Sequence, residues 1–383
     1  MAKISKKIKV GVIFGGRSGE HEVSIVSAVS VMKALDKKKY QVIPIGITKE
    51  GRWISGNQAV YFLKEGMRQL PFKSIFAPDP TEKSLMNIKT SSLKSTSNFK
   101  PTMTEIDVVF PLVHGTYGED GKLQGLLEMA NIAYVGSEVL GSALAMDKVV
   151  QKQLTDLAGL PSVRYDWFFK KEFKNNRSKI ISRLEKKLGY PMFTKPANLG
   201  SSVGIGKCHN RKELINGIID ALKYDRKIIV EQGIEDIREI EVSVLGNDKP
   251  KASVPGEIIS SNEFYDYDAK YVDGKSQAVI PARLPKKTIK EIRLIAEMAF
   301  RALNLSGLAR VDFLVKKKNH KVYLNEVNTI PGFTSISMYP KLWEASGLSY
   351  SKLLDQLIDL ALERHREKNS LATSYQPKED WYK

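Results

Sequence analysis

The sequence predicts an α/β protein that opens with a doubly wound parallel sheet and ends around an apolar hairpin carrying charged residues. Three observations lead there. An apolar run at 8–14 meets a Gly-rich turn, GGRSGE, then a helical pattern over about 23–35 and a second apolar run at 40–48. Strand, Gly-rich turn, helix and strand are the opening of a doubly wound domain. The alternation resumes with IDVVFPLVHG at 106–115, a helix over 122–130 and a strand at 132–136. Finally, 307–328 reads as two strands joined by a Lys-rich turn at 316–321.

Bulk properties exclude several classes. A chain of 383 residues is long enough for two or three domains. The net charge of +17 raises nucleic acid as a partner. However, the basic residues are scattered along apolar helix and strand patterns, and no zinc-finger spacing or aromatic RNA-binding signature is present, so no nucleic-acid partner is expected. Cys208 is the single cysteine, which rules out an internal disulfide and fits a reducing, cytoplasmic setting. No apolar run approaches the ~20 residues of a membrane span, so no membrane insertion is expected. The basic start runs into only VGVIF, too short for a signal peptide, and reads as the first strand.

In chain order, GGRSGE lacks the G-x-G-x-x-G dinucleotide pattern because Phe14 stands at the first glycine's place. Glu20 sits where the turn meets the helix. It serves equally well as a favourable charge at a helix N-terminus or as a ligand contact. His21 reads as a solvated helix-start residue. The segment 55–104 is weakly patterned and is expected to be a loop or hairpin excursion without chemistry. His114 lies just past a strand, at the carboxyl end where open α/β sheets bind ligands, though a lone His there is more often a structural hydrogen-bonder.

One helix is expected over 138–157, then a strand at 162–169, a basic helix over 177–188 and a strand at 190–197 carrying Lys195. NLGSSVGIGK follows. It is rich in backbone N–H donors suited to covering phosphates, but it is not a Walker A loop. A helix over 211–223 precedes a strand that ends at Glu231. In the next strand Glu239 and Glu241 share a face. Residues 260–277 place four Tyr or Phe rings in a charged stretch without period, which suits a lid or an Ω-loop. A helical stripe at 286–303 leads into the hairpin, and two amphipathic helices near 336–346 and 350–366 close the chain.

The hairpin carries the chemistry. Arg310 and Asp312 are two apart and share a face, as do Glu326 and Asn328, while Val311, Phe313 and Val327 point into a core. Asp and Asn are poor strand formers, which favours a site over a solvated surface hairpin. Oxygen donors of this kind suit Mg²⁺, which takes one or two carboxylates plus substrate phosphates.

Seven stretches, in register, carry a resemblance: GGRSGEHEVS, HGTYGEDGKLQG, AMDK, TKPANLGSSVGIGK, EFYDYDAKY, GLARVDF and YLNEVNTIPGFTS. Together they resemble D-alanine–D-alanine ligase, of the ATP-grasp superfamily, from about residue 9 to about 358 without the 55–104 excursion. The resemblance implies an N-terminal α/β substrate-binding domain over 1–145. It also implies a central α+β ATP-grasp subdomain over 146–240, a C-terminal α/β subdomain over 241–370 and a polar tail over 371–383. It implies ATP, two Mg²⁺ ions (Mn²⁺ as an alternative), two molecules of D-alanine and a homodimer.

By the same resemblance, Lys148 and Lys195 match the lysines on the ATP phosphates, and Lys270 matches a lid lysine on the γ-phosphate. Glu231 matches the carboxylate reading adenine and Glu239 the one binding ribose. The segment before Glu239 is one residue longer than the family's, so Glu241 is the alternative. Asp312, Glu326 and Asn328 match the metal ligands. Arg310 and the Gly332 N–H match the groups holding the tetrahedral oxyanion. Glu20 matches the residue on the first substrate's ammonium, linked through Ser201 and Tyr271 to the Gly loop and the lid. His114 matches a residue lining that site. Ser337 and Met338 match the positions at the second substrate's carboxylate, where the family commonly has Ser-Leu. Tyr at 271 implies an amine nucleophile rather than D-lactate. A related ligase using D-lactate or D-serine is the alternative within enzymes, whereas the carboxylates in the cleft speak against a nucleic-acid-binding relative.

Overall fold

The computed structural model describes residues 6–66, 72–89, 102–200, 203–259, 277–334 and 336–375. Ser201, Lys270, Tyr271 and nearly all of the expected lid at 260–277 lie outside them. Among the described residues, no helix is long and apolar enough to cross a membrane.

The first part runs β1 (Ile8–Gly15), α1 (His21–Ala34), β2 (Tyr40–Ile47), β3 (Trp53–Ser55), α2 (Ala59–Lys64), β4 (Phe72–Phe76), β5 (Ser84–Lys89), β6 (Thr102–Glu105), β7 (Val108–Pro111), α3 (Lys122–Met129) and β8 (Ala133–Tyr134). Its main sheet has the order β3-β2-β1-β7-β8, parallel throughout except for the edge strand β3. β1 is buried from Val10 to Gly15, as a central parallel strand covered on both faces should be. The strand order reverses at β1. The carboxyl ends of β1 and β7 therefore flank a switch point, and they deliver Glu20 and His114 to it.

Two expectations change here. The 55–104 excursion holds a helix and a three-stranded antiparallel sheet, β4-β5-β6, rather than a loop or simple hairpin. Its buried side hid a polar network: the hydroxyls of Ser55 and Ser74 donate to Asn87 Oδ1 at 2.6 and 2.7 Å, beside only a few apolar residues such as Phe76 and Leu85. His21 is buried, not solvated, because the β1–α1 turn folds back and brings its Nδ1 to 2.9 Å from the Gly16 carbonyl.

The expected helix over 138–157 is two helices, α4 (Val139–Met146) and α5 (Lys148–Leu157). Asp147 breaks the run with extended backbone, φ −81° and ψ 103°, and its carboxylate caps α5 by accepting from the Val149 and Val150 N–H groups. The break places Lys148 at the first turn of a new helix.

The middle part comprises β9 (Tyr165–Phe169), α6 (Lys170–Leu188), β10 (Met192–Pro196), β11 (Gly206–Cys208), α7 (Arg211–Ala221) and β12 (Lys227–Gln232). Its antiparallel sheet has the order β11-β10-β12-β9, and α6 and α7 bury their apolar stripes on one face. α6 begins seven residues before the expected start at 177. The kink at Asn176, φ −132° and ψ 35°, marks where the sequence pattern changes.

The last part comprises β13 (Ile237–Gly246), β14 (Lys251–Ala252), β15 (Gly256–Ile259), β16 (Gln277–Val279), α8 (Lys286–Ala302), β17 (Gly307–Lys316), β18 (Val322–Asn328), α9 (Met338–Ala345) and α10 (Tyr350–Asn369). The sheet β16-β15-β13-β17-β18 is antiparallel, with β14 also on β13, and α8 packs Ile292, Ala296, Ala299 and Phe300 against it. α10 then returns to the first sheet. Leu353, Leu354, Leu357 and Ile358 share a core with Val10, Val12, Phe14, Val108 and Phe110, so the two ends of the chain stabilise each other.

That shared core sets an expectation. Leu357 is fully buried, so Leu357→Ala should lower unfolding free energy by about 2–5 kcal/mol, the cost of a buried methylene deletion plus its cavity. Equilibrium urea unfolding, followed by far-UV circular dichroism, measures this.

Candidate active site

The β17–β18 pair has the register the chemistry needs. Asp312 lies opposite Glu326 and Arg310 opposite Asn328. Val311, Phe313 and Val327 are buried beneath them. A bulge between Asp312 and Phe313 leaves Asn325 as the extra residue and shifts the register, after which pairing resumes with Asp312 opposite Glu326. Arg310 donates from Nε and one terminal nitrogen to the two oxygens of Asp312, both at 2.7 Å, and Asn328 Nδ2 donates to Asp312 at 3.0 Å. Glu241, opposite Asp312 on β13, lies 3.2 Å from Arg310 Nε. Burial alone would lower the pKa of this guanidinium. Asp312 and Glu241 more than offset that and hold it well above its ordinary value, so Arg310 stays charged.

Two lysines approach from the other side. Lys148 donates to the Leu199 carbonyl at the base of the Gly loop, at 2.8 Å, and lies 3.7 Å from Glu326. Lys195 on β10 donates to Glu231 at 2.6 Å. Glu231, opposite Phe193 on β12, also lies 3.2 Å from the buried Lys152. Burial pushes the Glu231 carboxyl up, but the two lysines outweigh it and hold it below the ordinary range. Burial likewise opposes the charge on Lys195, and Glu231 and Glu326 overcome it. Glu239 also bears on Lys195, whereas Glu241 is engaged by Arg310. This separates the two carboxylates that share a strand face.

The N-terminal part closes the other wall. Glu20 reaches toward the Gly loop: a Cβ built on Gly200 would lie 3.0 Å from Glu20 Oε2, and one on Gly115 would lie 3.2 Å away. His114 is buried, with Nδ1 at 2.9 Å from the Ile330 carbonyl and Nε2 at 3.3 Å from Ser27 Oγ. A carbonyl only accepts, so Nδ1 carries the proton and Nε2 accepts from the Ser27 hydroxyl. Burial lowers the His114 pKa, in keeping with this neutral form.

The Pro-Gly turn after β18 is the third wall. A Cβ on Gly332 would lie 2.8 Å from Ser337 Oγ, a contact only glycine avoids. The Thr334 N–H donates to that same oxygen at 3.0 Å. Ser337 precedes α9 as its N-cap residue. The Met338 side chain packs in a small core with Ile258 and Leu342.

Sequence reasoning missed Glu119, Gln151 and Lys152. Glu119 and Gln151 are buried and bond to backbone near the turn. Glu119, Lys148, Gly200, Glu326 and Asn328 line one cleft. Beside it, Asp312, Glu326 and Asn328 at the end of the hairpin offer a donor set that fits a hard divalent cation: two carboxylates and an amide oxygen, with phosphate to complete the shell. Among the described residues no group of three or more His, Cys, Asp or Glu forms a self-sufficient metal cage.

With this geometry in place, the comparisons are specific. The family model described as D-ala D-ala ligase N-terminus matches residues 9–137, and the one described as D-ala D-ala ligase C-terminus matches residues 154–359. The D-alanine–D-alanine ligase of Natranaerobius thermophilus is 52% identical over 371 residues, covering 97% of this chain and 99% of that protein. Among solved structures, the D-alanine–D-alanine ligase from Coxiella burnetii superposes with a TM-score of 0.79 at 38% identity, over 96% of this chain and 97% of that one. The VanG D-Ala:D-Ser ligase from Enterococcus faecalis superposes with a TM-score of 0.80 at 36% identity, over 93% and 100%. The chain belongs to the D-alanine–D-alanine ligase family, and its fold is the ATP-grasp fold of those enzymes.

Proposed function

We propose that this protein joins two D-alanine molecules to D-alanyl-D-alanine through a D-alanyl phosphate, releasing ADP and phosphate, for peptidoglycan precursor synthesis. The observation that carries the reading is the convergence of Arg310, Asp312, Glu326 and Asn328 at the end of β17 and β18, facing Lys148, in a chain of this family. The carboxylate of the first D-alanine takes the γ-phosphoryl group of ATP. The amine of the second attacks the acyl carbon, and the tetrahedral intermediate expels phosphate.

The chain's part is to position and to neutralise charge, which is what phosphoryl transfer needs. Lys148 and Lys195 bind the ATP phosphates, joined by Lys270. Glu231 meets the adenine amino edge; a carboxylate has about four lone-pair sites, so its two lysines leave room. Glu239 binds ribose. Asp312, Glu326 and Asn328 would hold two Mg²⁺ ions, or Mn²⁺, which when bound neutralise the transferring phosphoryl group. Arg310 and the Gly332 N–H stabilise the oxyanion. Glu20 takes the first ammonium and works with Ser201 and Tyr271, and His114 lines that pocket. Ser337 and the backbone at Met338 take the second carboxylate. The acyl phosphate needs shelter from water, which the 260–277 segment supplies as a lid. The enzyme works in the cytoplasm, as a homodimer.

Phosphate release from ATP and Mg²⁺ with single amino acids tests the reading. D-alanine should stimulate release, and none with D-alanine would overturn it. Arg310→Ala should lower turnover by about 10²–10³, the cost of one oxyanion donor; near wild-type turnover would remove Arg310 from that role. Tyr271→Phe should let D-lactate compete as second substrate, visible as depsipeptide by mass spectrometry. Dipeptide alone would contradict that assignment.

A further inference from the structure

Both main-chain polar groups of Ile330, in the turn after β18, are held from the N-terminal part of the chain. The Ile330 N–H donates to Glu119 Oε1 at 2.9 Å, and the Ile330 carbonyl accepts from His114 Nδ1 at 2.9 Å. The second oxygen of Glu119 accepts from the Gly115 N–H at 2.9 Å, which ties the two holders into one loop. Ser27, hydrogen-bonded to His114 Nε2, also accepts from the Phe333 N–H at 3.3 Å. The turn from Ile330 to Phe333 is thus gripped at both ends, and Gly332 lies between the grips.

We propose that Glu119 is a positioning residue for the ligation, one that sets the backbone of Ile330 and thereby the placement of the Gly332 N–H and the Asn328 amide. This rests on the reaction proposed above. A side chain kept only for folding would not be a carboxylate here. A buried carboxylate is costly unless hydrogen-bonded, and this one faces the nearby charge of Glu20. Burial and Glu20 push its pKa up to about 8 while the Gly115 and Ile330 N–H donors pull it down, and in either protonation state both of its oxygens can accept those bonds. Two N–H donors from two separate parts of the chain are what the carboxylate gains. No carboxamide can accept both, because one of its two polar atoms only donates.

Glu119→Ala and Glu119→Gln, made in the full chain, test this. Turnover is normalised to ATP-binding sites titrated in the same preparation, so that misfolded protein does not count. Glu119→Ala should lower kcat by about 10²-fold, like the loss of one oxyanion donor. Glu119→Gln, which keeps one acceptor, should recover part of this, to about tenfold below wild type, with KM for ATP within about twofold in both, as for a group acting in the transition state. Turnover per site within twofold of wild type in Glu119→Gln overturns the proposal, even where Glu119→Ala fails to fold. Wild-type enzyme assayed alongside separates the two levels. Wild-type phosphate release with unchanged variants sinks only the positioning role, whereas no wild-type release with D-alanine sinks the reaction and this role with it.

Discussion

The site depends on one stretch of backbone, the last two residues of β18 and the turn after it to Thr334, being held still by side chains. β18 is an edge strand, and backbone N–H and C=O groups leaving a sheet need other partners. Here they come from far along the chain. Gln151 on α5 accepts from the Val327 N–H at 3.0 Å and donates to its carbonyl at 3.1 Å. Glu119 and His114 take Ile330, Ser27 takes Phe333, and Ser337 takes Thr334. Tyr350 at the start of α10 donates to the Phe333 carbonyl at 2.9 Å. Residues from α1 and the loop after β7, from α5 and from the C-terminal helices therefore converge on the segment that carries Asn328 and Gly332.

The same stretch explains why the two ends of the chain share a core. The Phe333 ring packs between Phe110, Tyr339 and Tyr350, with centroids 5.7, 5.3 and 6.4 Å away. A turn that must meet the first sheet on one side and the ATP-grasp sheet on the other needs those units docked firmly. α10 provides this by burying its leucines on the first sheet. Packing at this level positions chemistry more than it stabilises any one domain.

Much of this was legible in the sequence, and what was not has a common cause. The hairpin could be read because its signal is local: polar Arg310 and Asp312 alternate with apolar Val311 and Phe313, a period-2 pattern that fixes faces without a structure. The parallel sheet was equally plain in apolar runs such as 8–14. Glu119, Gln151 and Ser27 carry no such signal. They act on main-chain groups of residues far away in sequence, and any acidic or amide residue near a turn looks the same until the fold brings it there. The break at Asp147 was missed because the apolar period of α4 runs on into α5. Only the capping bonds to Val149 and Val150 distinguish it. His21 was misjudged for the converse reason: a helix start is usually wet, and here the preceding turn covers it.

The charges of the cleft form an alternating chain, and that alternation bears on how the site stays folded without nucleotide. Lys152, Glu231 and Lys195 lie in sequence on one side. Lys148 and Glu326 bridge the middle, and Asp312, Arg310 and Glu241 complete the other side. A buried charge without a partner costs several kcal/mol, so each cation aimed at phosphate needs a carboxylate until phosphate arrives. Lys195 and Arg310 show the two ways of meeting that need. Lys195 shares Glu231 with Lys152, so Glu231 keeps a cation when Lys195 turns to an anion. Arg310 has two carboxylates, so Glu241 still holds and neutralises it when Asp312 turns to another cation. In both cases the third member of the set is placed to keep the remaining group paired under the proposed reaction.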